Sequence, residues 1–169
     1  MQIEIERKFL LRNDGWKNHV IDSRVFTDGL IASDAGGKVR VRLGEAKATI
    51  TVKSPRTGLR RTEFEYEIPR AHAEAMFAAC CDHRIIEKTR YYVREGETIW
   101  DIDVYGGDLA GIALAEIELQ DESQPFTIPD WLGQEVTGDR RFSKRNIVRL
   151  YLETGNCPSM ADLLALPDA

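Results

Sequence analysis

Residues 3–8 (IEIERK) decide the fold, because charged and apolar side chains alternate along them. In a β-strand, successive side chains point to opposite faces. Glu4, Glu6 and Lys8 then share one face, while Ile3 and Ile5 lie on the other. Such a strand either lies on a solvated surface or forms one wall of a charged cavity. Taken alone, the stretch favours the solvated surface.

The same alternation recurs along most of the chain and predicts further strands. In strand two, Asp28 and Gly29 weaken the pattern midway. Pro69 is expected to open a helix, because proline is tolerated at the first helical position. From Pro125 the pattern predicts helix, including helices over residues 140–152 and 160–166. The remaining strands are predicted over residues 23–32, 38–43, 47–53, 59–68, 84–94, 98–105 and 112–120.

About eight strands with one charged and one apolar face fit two architectures. In a sandwich the charges face water, whereas in a closed barrel they line a lumen wide enough for one small ligand. The charges favour the barrel because they come in blocks, and because strand seven carries two aspartates, which are poor strand formers. The blocks are Glu4/Glu6/Lys8, Arg40/Arg42, Thr51/Lys53, Glu63/Glu65/Glu67, Lys88/Arg90, Asp101/Asp103 and Glu116/Glu118.

These blocks carry a specific chemistry. Carboxylates without nearby histidine or cysteine select Mg²⁺ or Mn²⁺ rather than zinc. Guanidinium and ammonium groups hold phosphate oxygens, arginine in a bidentate manner. A lumen with both sets is suited to phosphoryl transfer, in which positioning and charge neutralisation do most of the catalysis.

Composition limits the other possibilities. The 169 residues are predicted to form one domain (1–169), and a net charge of −5 does not indicate nucleic-acid binding. No apolar run approaches the roughly 18–20 residues that span a bilayer, so no membrane partner is expected. The N-terminus lacks a secretory pattern and three cysteines are too few for a disulfide framework, which predicts a cytoplasmic protein.

In this order, the blocks resemble the CYTH or triphosphate tunnel metalloenzyme family. Its ExExK motif matches residues 4–8, and residues 136–143 resemble the stretch that leads into its C-terminal plug helix. ExExK alone is weak evidence, but seven blocks in order are strong. The resemblance covers about the first 150 residues and implies an α+β, mainly β fold: a closed eight-stranded antiparallel β-barrel tunnel with helices packed outside and a plug helix.

The resemblance also implies hydrolysis of a triphosphate, inorganic tripolyphosphate first, with two Mg²⁺ or Mn²⁺ ions that orient the substrate and activate water. The implied catalytic residues are Lys8, Glu116 and Glu118. The implied phosphate ligands are Lys8, Arg40, Arg42, Lys53, Lys88 and Arg90, with Arg141 and Lys144 as candidates for an additional contact. The implied metal ligands are Glu4, Glu6, Glu63, Glu65, Asp101, Glu116 and Glu118.

Departures from the family pattern keep alternatives open. Some tripolyphosphatases pair the motif lysine with a tyrosine on strand two, where this chain has Leu30. Hydrolysis of thiamine or nucleoside triphosphates and a binding module without turnover therefore remain alternatives. Lys38 fits either the tunnel or solvent. Arg56, Arg60 and Arg61 are expected to form a solvated basic loop, and attraction of polyanions to a tunnel mouth is the alternative. The oligomeric state is left open, a homodimer included.

Overall fold

The computed structural model describes residues 2–34, 36–81 and 85–167, with only the backbone described at residue 34. The predicted start of strand six, at residue 84, lies outside the described residues. No helix in the described part of the chain is both long enough and apolar enough to cross a membrane.

Antiparallel strands make up the framework of the described structure. The strands are β1 (Gln2–Leu11), β2 (Val20–Asp34), β3 (Gly37–Gly44), β4 (Ala48–Lys53), β5 (Arg60–Ile68), β6 (Ile85–Glu95), β7 (Thr98–Tyr105), β8 (Ala113–Leu119) and β9 (Leu132–Glu135). The α-helices are α1 (Arg70–Cys80), α2 (Lys144–Thr154) and α3 (Met160–Ala165). Three short 3₁₀ segments cover residues 14–19, 107–109 and 140–142.

Strands β1–β8 form a closed eight-stranded antiparallel barrel, as the sequence predicts. The hydrogen-bonded order is β5-β4-β3-β2-β6-β7-β8-β1, and β1 also pairs with β5 to close the ring. In the closing pair of β1 and β5, Ile3 lies opposite Thr62. At the other edge of β1, Lys8 lies opposite Glu116 of β8. The stretch that opens the chain is therefore the seam of the barrel.

The region after Pro125 differs from the sequence-based prediction. Instead of a helix it forms β9, which pairs with the end of β1 so that Leu11 lies opposite Leu132. Pro129 cannot donate a backbone hydrogen bond, which disfavours helix here. Trp131 and Leu132 are buried in the core outside β1. Burial of these two side chains decides the local structure. A strand of four residues is too short to show a periodic pattern in the sequence.

An aromatic cluster fills the core on the outer side of β1, β7 and β8. The Trp100 ring packs edge-on against Phe9, with centroids 5.6 Å apart, and against Trp131 at 5.6 Å. Phe126 of the loop before β9 also meets Trp100, at 5.7 Å. This cluster packs β9 and the loop before it against the outer faces of the barrel strands. The charged faces of those strands point into the barrel.

Helix α1 covers a second side of the barrel, across β2, β3 and β4. Phe77 and Cys81 lie directly over Gly29 of β2. Gly29 does not end the strand, because β2 runs unbroken through it. The glycine lets the helix approach the strand closely. The outer face of β5 lacks such a cover, so that Tyr66 remains 59% exposed.

Helix α2 closes one end of the barrel and so confirms the predicted plug helix. Ser143 caps its first turn by accepting a hydrogen bond from the Asn146 amide at 3.2 Å. Gly155 ends it in the left-handed conformation, with φ of 67°. Ile147 of α2 and Phe142, which precedes the helix, are fully buried and pack in one cluster with the barrel residue Leu114.

Candidate functional site

Strand register turns the predicted charge blocks to the inside of the barrel. Each block residue lies opposite a charged or polar residue of the next strand. The opposed pairs are Lys8 and Glu116, Glu6 and Glu118, Asp101 and Glu116, Arg90 and Asp103, Asp28 and Arg42, Arg40 and Thr51, Lys53 and Glu63, and Glu4 and Arg61. Because side chains alternate along each strand, one inward residue places the rest of its block on the inner face of the barrel.

The lumen is a cavity of about 950 Å³ that is partly open to solvent and is lined in part by residues of α2. Its size is within the range of small-molecule sites. The predicted site residues that line it are Glu4, Glu6, Lys8, Arg40, Arg42, Lys53, Glu63, Glu65, Arg90, Asp101, Glu116, Glu118 and Lys144. The structure thus brings together both classes of charge that the sequence analysis proposed for one site.

One wall of the cavity is an ion-pair network around Glu4. Its carboxylate accepts hydrogen bonds from the Lys53 ammonium at 2.8 Å and from the Arg61 guanidinium at 3.1 Å. Burial alone would raise the pKa of Glu4, but these two cations outweigh it and hold the pKa well below its usual range. Glu6 binds Arg56, through its side chain at 3.2 Å and its backbone carbonyl at 3.1 Å. The prediction that Arg56 and Arg61 are solvated is wrong, because both cations bind the carboxylates of β1.

The opposite wall is built on Asp28 of β2. The Arg42 guanidinium donates to both oxygens of Asp28, at 2.6 and 2.8 Å. Arg40 lies 3.9 Å from the same carboxylate and donates to Thr51 Oγ1 at 2.9 Å. Burial tends to raise the pKa of Asp28, yet the charges of Arg42 and Arg40 hold it well below its usual range. Asp28 therefore orients both arginines toward the cavity.

Glu116 occupies the centre of the third wall. The Lys8 ammonium lies 3.1 Å from one of its oxygens, and Arg90 donates to the other at 3.0 Å. The surrounding cations overcome the effect of burial and keep the pKa of Glu116 well below its ordinary value. Burial would lower the pKa of Lys8, but the charges of Glu116 and Glu6 raise it above its ordinary value. The raised pKa favours the ammonium form of Lys8.

Two predicted phosphate ligands lie elsewhere. The Lys88 side chain is completely buried and binds Asp103. Arg141 donates to Asp139 at 2.7 Å and to the backbone carbonyl of Leu166 at 3.3 Å. Neither side chain is among the described residues that line the cavity. A phosphate contact by either residue stays a prediction.

Comparisons with known proteins match this geometry. The profile of the CYTH domain matches residues 2–151. The chain belongs to the CYTH domain family. An inorganic triphosphatase of Acetivibrio thermocellus is 40% identical over 146 residues, which cover 86% of this chain and 93% of that protein. One of Nitrosomonas europaea is 34% identical over 149 residues, 84% of this chain and 94% of the relative.

Solved structures support the CYTH fold. The crystal structure of an inorganic triphosphatase superimposes with a TM-score of 0.61 at 30% identity, covering 88% of this chain and 95% of the other. A protein of Pyrococcus horikoshii superimposes with a TM-score of 0.56 at 17% identity, over 71% of this chain and 80% of the other. The second likeness concerns the fold alone.

The CYTH tunnel has one region where carboxylates outnumber their cations. Burial raises the pKa of Glu118, and the nearby charges of Glu4 and Glu63 raise it further. Burial likewise raises the pKa of Asp101, and only in part does Arg90 offset this. No three Asp, Glu, His or Cys side chains converge at metal-binding distance in the part of the chain that the structure describes. Carboxylate oxygens are the donor type that a hard divalent cation prefers.

Lys38 at the start of β3 is the tunnel residue that the sequence analysis left most open. It lines the cavity opposite Lys53, and among described residues it makes no ion pair. Burial lowers its pKa well below the ordinary value, and so do the charges of Arg61 and Lys144. The two-residue spacing between Lys38 and Arg40 is enough to predict that Lys38 faces inward. That no described carboxylate pairs with Lys38 can be seen only in the structure.

Proposed function

We propose that this CYTH domain hydrolyses a triphosphate, most directly inorganic tripolyphosphate, with the help of Mg²⁺ or Mn²⁺. One observation carries the proposal: a single cavity of about 950 Å³ is lined by convergent carboxylates and cations. The two curated relatives that are known as inorganic triphosphatases support the choice of substrate.

The cations of the tunnel provide the phosphate-binding surface. Arg40 and Arg42 present guanidinium groups suited to bidentate contact with phosphate oxygens. Lys8 and Lys53 supply ammonium groups from the neighbouring seam, and Lys144 of α2 points in from the plug. A triphosphate anion would compete with the carboxylates for these cations. The tunnel can hold the anion because most of its cations are already fixed in position by ion pairs.

Carboxylates that lie among these cations would hold the divalent cation. Glu118, Asp101 and Glu63 are the strongest candidates, since the first two have raised pKa values. When bound, the metal supplies charge neutralisation for the phosphate oxygens and activates the attacking water. Glu116 contributes by fixing the positions of Lys8 and Arg90. These two cations would then stabilise the charge that develops on the transferred phosphoryl group.

Phosphate release from tripolyphosphate with Mg²⁺ or Mn²⁺, measured with and without chelator, tests this function. Glu116→Gln and Glu118→Gln should each lower kcat by about 100-fold or more, a size typical of a lost group in a charged site. Glu97→Gln is the matched control, because Glu97 lies in the exposed turn between β6 and β7. Tight binding of tripolyphosphate without any release would contradict the enzyme proposal and leave a binding module. Normal turnover in both variants would contradict the assignment of these carboxylates.

A further inference from the structure

Lys38 of β3 lies among cations, without an anion of its own among the described side chains. Across the sheet it lies opposite Ser33 of β2 on one side and Lys53 of β4 on the other. Arg40 is the next residue on the same face of β3. The Lys38 side chain lines the cavity and forms no ion pair with a described residue. The strand register therefore places the Lys38 amine beside two further cations.

The carboxylates on the neighbouring strands already bind other cations. Glu63 of β5, which lies opposite Lys53, is 2.5 Å from the Lys53 ammonium. Glu6 of β1 is the acidic group that favours a positive charge on Lys38, and its carboxylate accepts a hydrogen bond from Arg56 at 3.2 Å. The phosphate chain of a bound triphosphate would supply the anion that this position lacks among the described residues.

The surroundings of the Lys38 amine oppose its positive charge. Burial opposes the charge most, followed by the charges of Arg61 on β5 and of Lys144 on α2. With Lys53 added, these effects outweigh Glu6 and hold the pKa of Lys38 well below its ordinary value. Lysine changes its pKa readily in such surroundings, whereas arginine stays charged. A polyanion in the tunnel would reverse the balance, because a nearby opposite charge favours the protonated amine.

We propose that Lys38 is a neutral amine in the empty tunnel and takes up one proton from solvent when a triphosphate binds. The lone pair of the amine nitrogen accepts the proton, and the ammonium group that forms then contacts the phosphate oxygens. This proposal rests on the proposed function and adds to it a residue that becomes charged together with the substrate. Binding of the anion and binding of the proton then strengthen each other by the same factor.

The coupling has a definite sign with pH. The proton is taken up only at pH values between the pKa of Lys38 in the empty tunnel and its higher pKa in the complex. Across that range the dissociation constant for tripolyphosphate should rise by up to about 10-fold per pH unit relative to that of Lys38→Arg. The variant lacks this dependence because a guanidinium group keeps its proton.

The first experiment measures the amine in the empty tunnel. Acetic anhydride reacts with neutral amines, so the pH dependence of acetylation at Lys38, read by mass spectrometry, reports the pKa of this residue. Lys38 of the folded chain should reach half of its full reactivity at least about 1 pH unit below Lys38 of the urea-unfolded chain. Coincident curves would overturn the proposal, whether or not the protein hydrolyses tripolyphosphate.

The second experiment counts the protons that binding takes up. Tripolyphosphate is titrated calorimetrically into the protein at about pH 8.5, above the range of about 7–8 to which burial and neighbouring charges can lower a lysine. Excess chelator prevents metal-dependent turnover, and two buffers of different ionisation enthalpy give the proton count. Other titrating groups contribute equally to wild type and Lys38→Arg, so the difference isolates Lys38. We expect the wild type to take up about 0.5–1 proton more than the variant.

Lys47→Arg is the matched control for the calorimetry. Lys47 is exposed before β4 and is not among the residues that line the cavity. The substitution makes the same chemical change as Lys38→Arg outside the tunnel. Its proton count should equal that of the wild type.

The outcomes separate this proposal from the proposed function. Equal proton counts in wild type and Lys38→Arg would overturn the role of Lys38 and leave the triphosphatase intact. Failure of tripolyphosphate to bind without metal would also overturn it, because the proton is proposed to enter with the anion. The expected difference in proton count, together with no phosphate release in Mg²⁺ or Mn²⁺, would support Lys38 as the proton-coupled ligand and contradict the triphosphatase.

Discussion

Lys88 and Asp103 form a buried ion pair, and replacing Asp103 should lower the free energy of unfolding much more than replacing Lys88. Both side chains have no solvent exposure. Asp103 binds Lys88 and also accepts hydrogen bonds from Arg90, at 2.7 Å to one oxygen and 2.9 Å to the other. Burial would raise the pKa of Asp103, but the charges of Lys88 and Arg90 hold it well below its usual range. Asp103 thus pairs with Lys88 and shares Arg90 with Asp101 and Glu116.

Asp103→Asn removes that charge and leaves Lys88 buried without its ion-pair partner. Breaking a buried pair in this way costs about 3–5 kcal/mol of the free energy of unfolding. Lys88→Met leaves Asp103 neutralised by Arg90, so the loss is that of one charge-assisted hydrogen bond, about 1.5–3 kcal/mol. The difference of about 2 kcal/mol corresponds to about 1 M in the urea midpoint, because the urea dependence is about 2 kcal/mol per M.

Urea unfolding at pH 7.5 measures both variants, with fluorescence of the buried Trp16, Trp100 and Trp131 as the probe. Asp14→Asn is the control, because the Asp14 pair with Lys17 is exposed and such pairs contribute little. An equal loss of unfolding free energy in Asp103→Asn and Lys88→Met, or a larger loss in Lys88→Met, would refute the reasoning. In Asp103→Asn, stability should increase with pH, since the buried Lys88 loses its proton more readily than the same residue in the unfolded chain.

Three further predictions follow from individual residues. Lys38→Gln should raise KM for tripolyphosphate by about 10-fold, equivalent to about 1.4 kcal/mol, while Lys38→Arg keeps KM near normal, as steady-state kinetics will show. Gly29→Ala should lower the unfolding free energy by about 1–3 kcal/mol in urea titrations, because its Cβ would lie 2.5 Å from Cys81 Sγ and 2.7 Å from the Phe77 ring. The raised pKa of Glu118 favours the protonated carboxyl in the folded state, a stabilisation that is lost as pH rises. Glu118→Gln should therefore keep full stability at neutral pH, which thermal unfolding will show.

The sequence predicted the barrel because its decisive signal is local. Alternation along β1 or β3 appears within six residues and persists from strand to strand, so Glu4 and Arg40 could be assigned to one lumen before any contact was known. The partners of these residues depend on register between distant strands. Arg61 binds Glu4 across 57 positions of chain, and nothing near either residue indicates it.

Gly29 shows why a local rule can mislead. Glycine weakens an isolated strand, and Asp28 and Gly29 are expected to weaken β2 midway. In the folded chain the missing side chain is what allows α1 to pack against the strand, so tertiary contact outweighs the local preference. The same holds for β9, whose four residues are held as a strand by burial of Leu132 against the outer core.

The ion pairs inside the tunnel bear on how the proposed triphosphate and the proposed divalent cation would bind. Glu4 and Glu116 now neutralise Lys53, Arg61, Lys8 and Arg90. An anion that took these cations alone would leave both carboxylates buried without partners, a cost of several kcal/mol for each. A divalent cation alone would strand the lysines and arginines in the same way. When both enter together, each buried charge exchanges one partner for another, so binding of the anion and binding of the cation are expected to strengthen each other by the same factor.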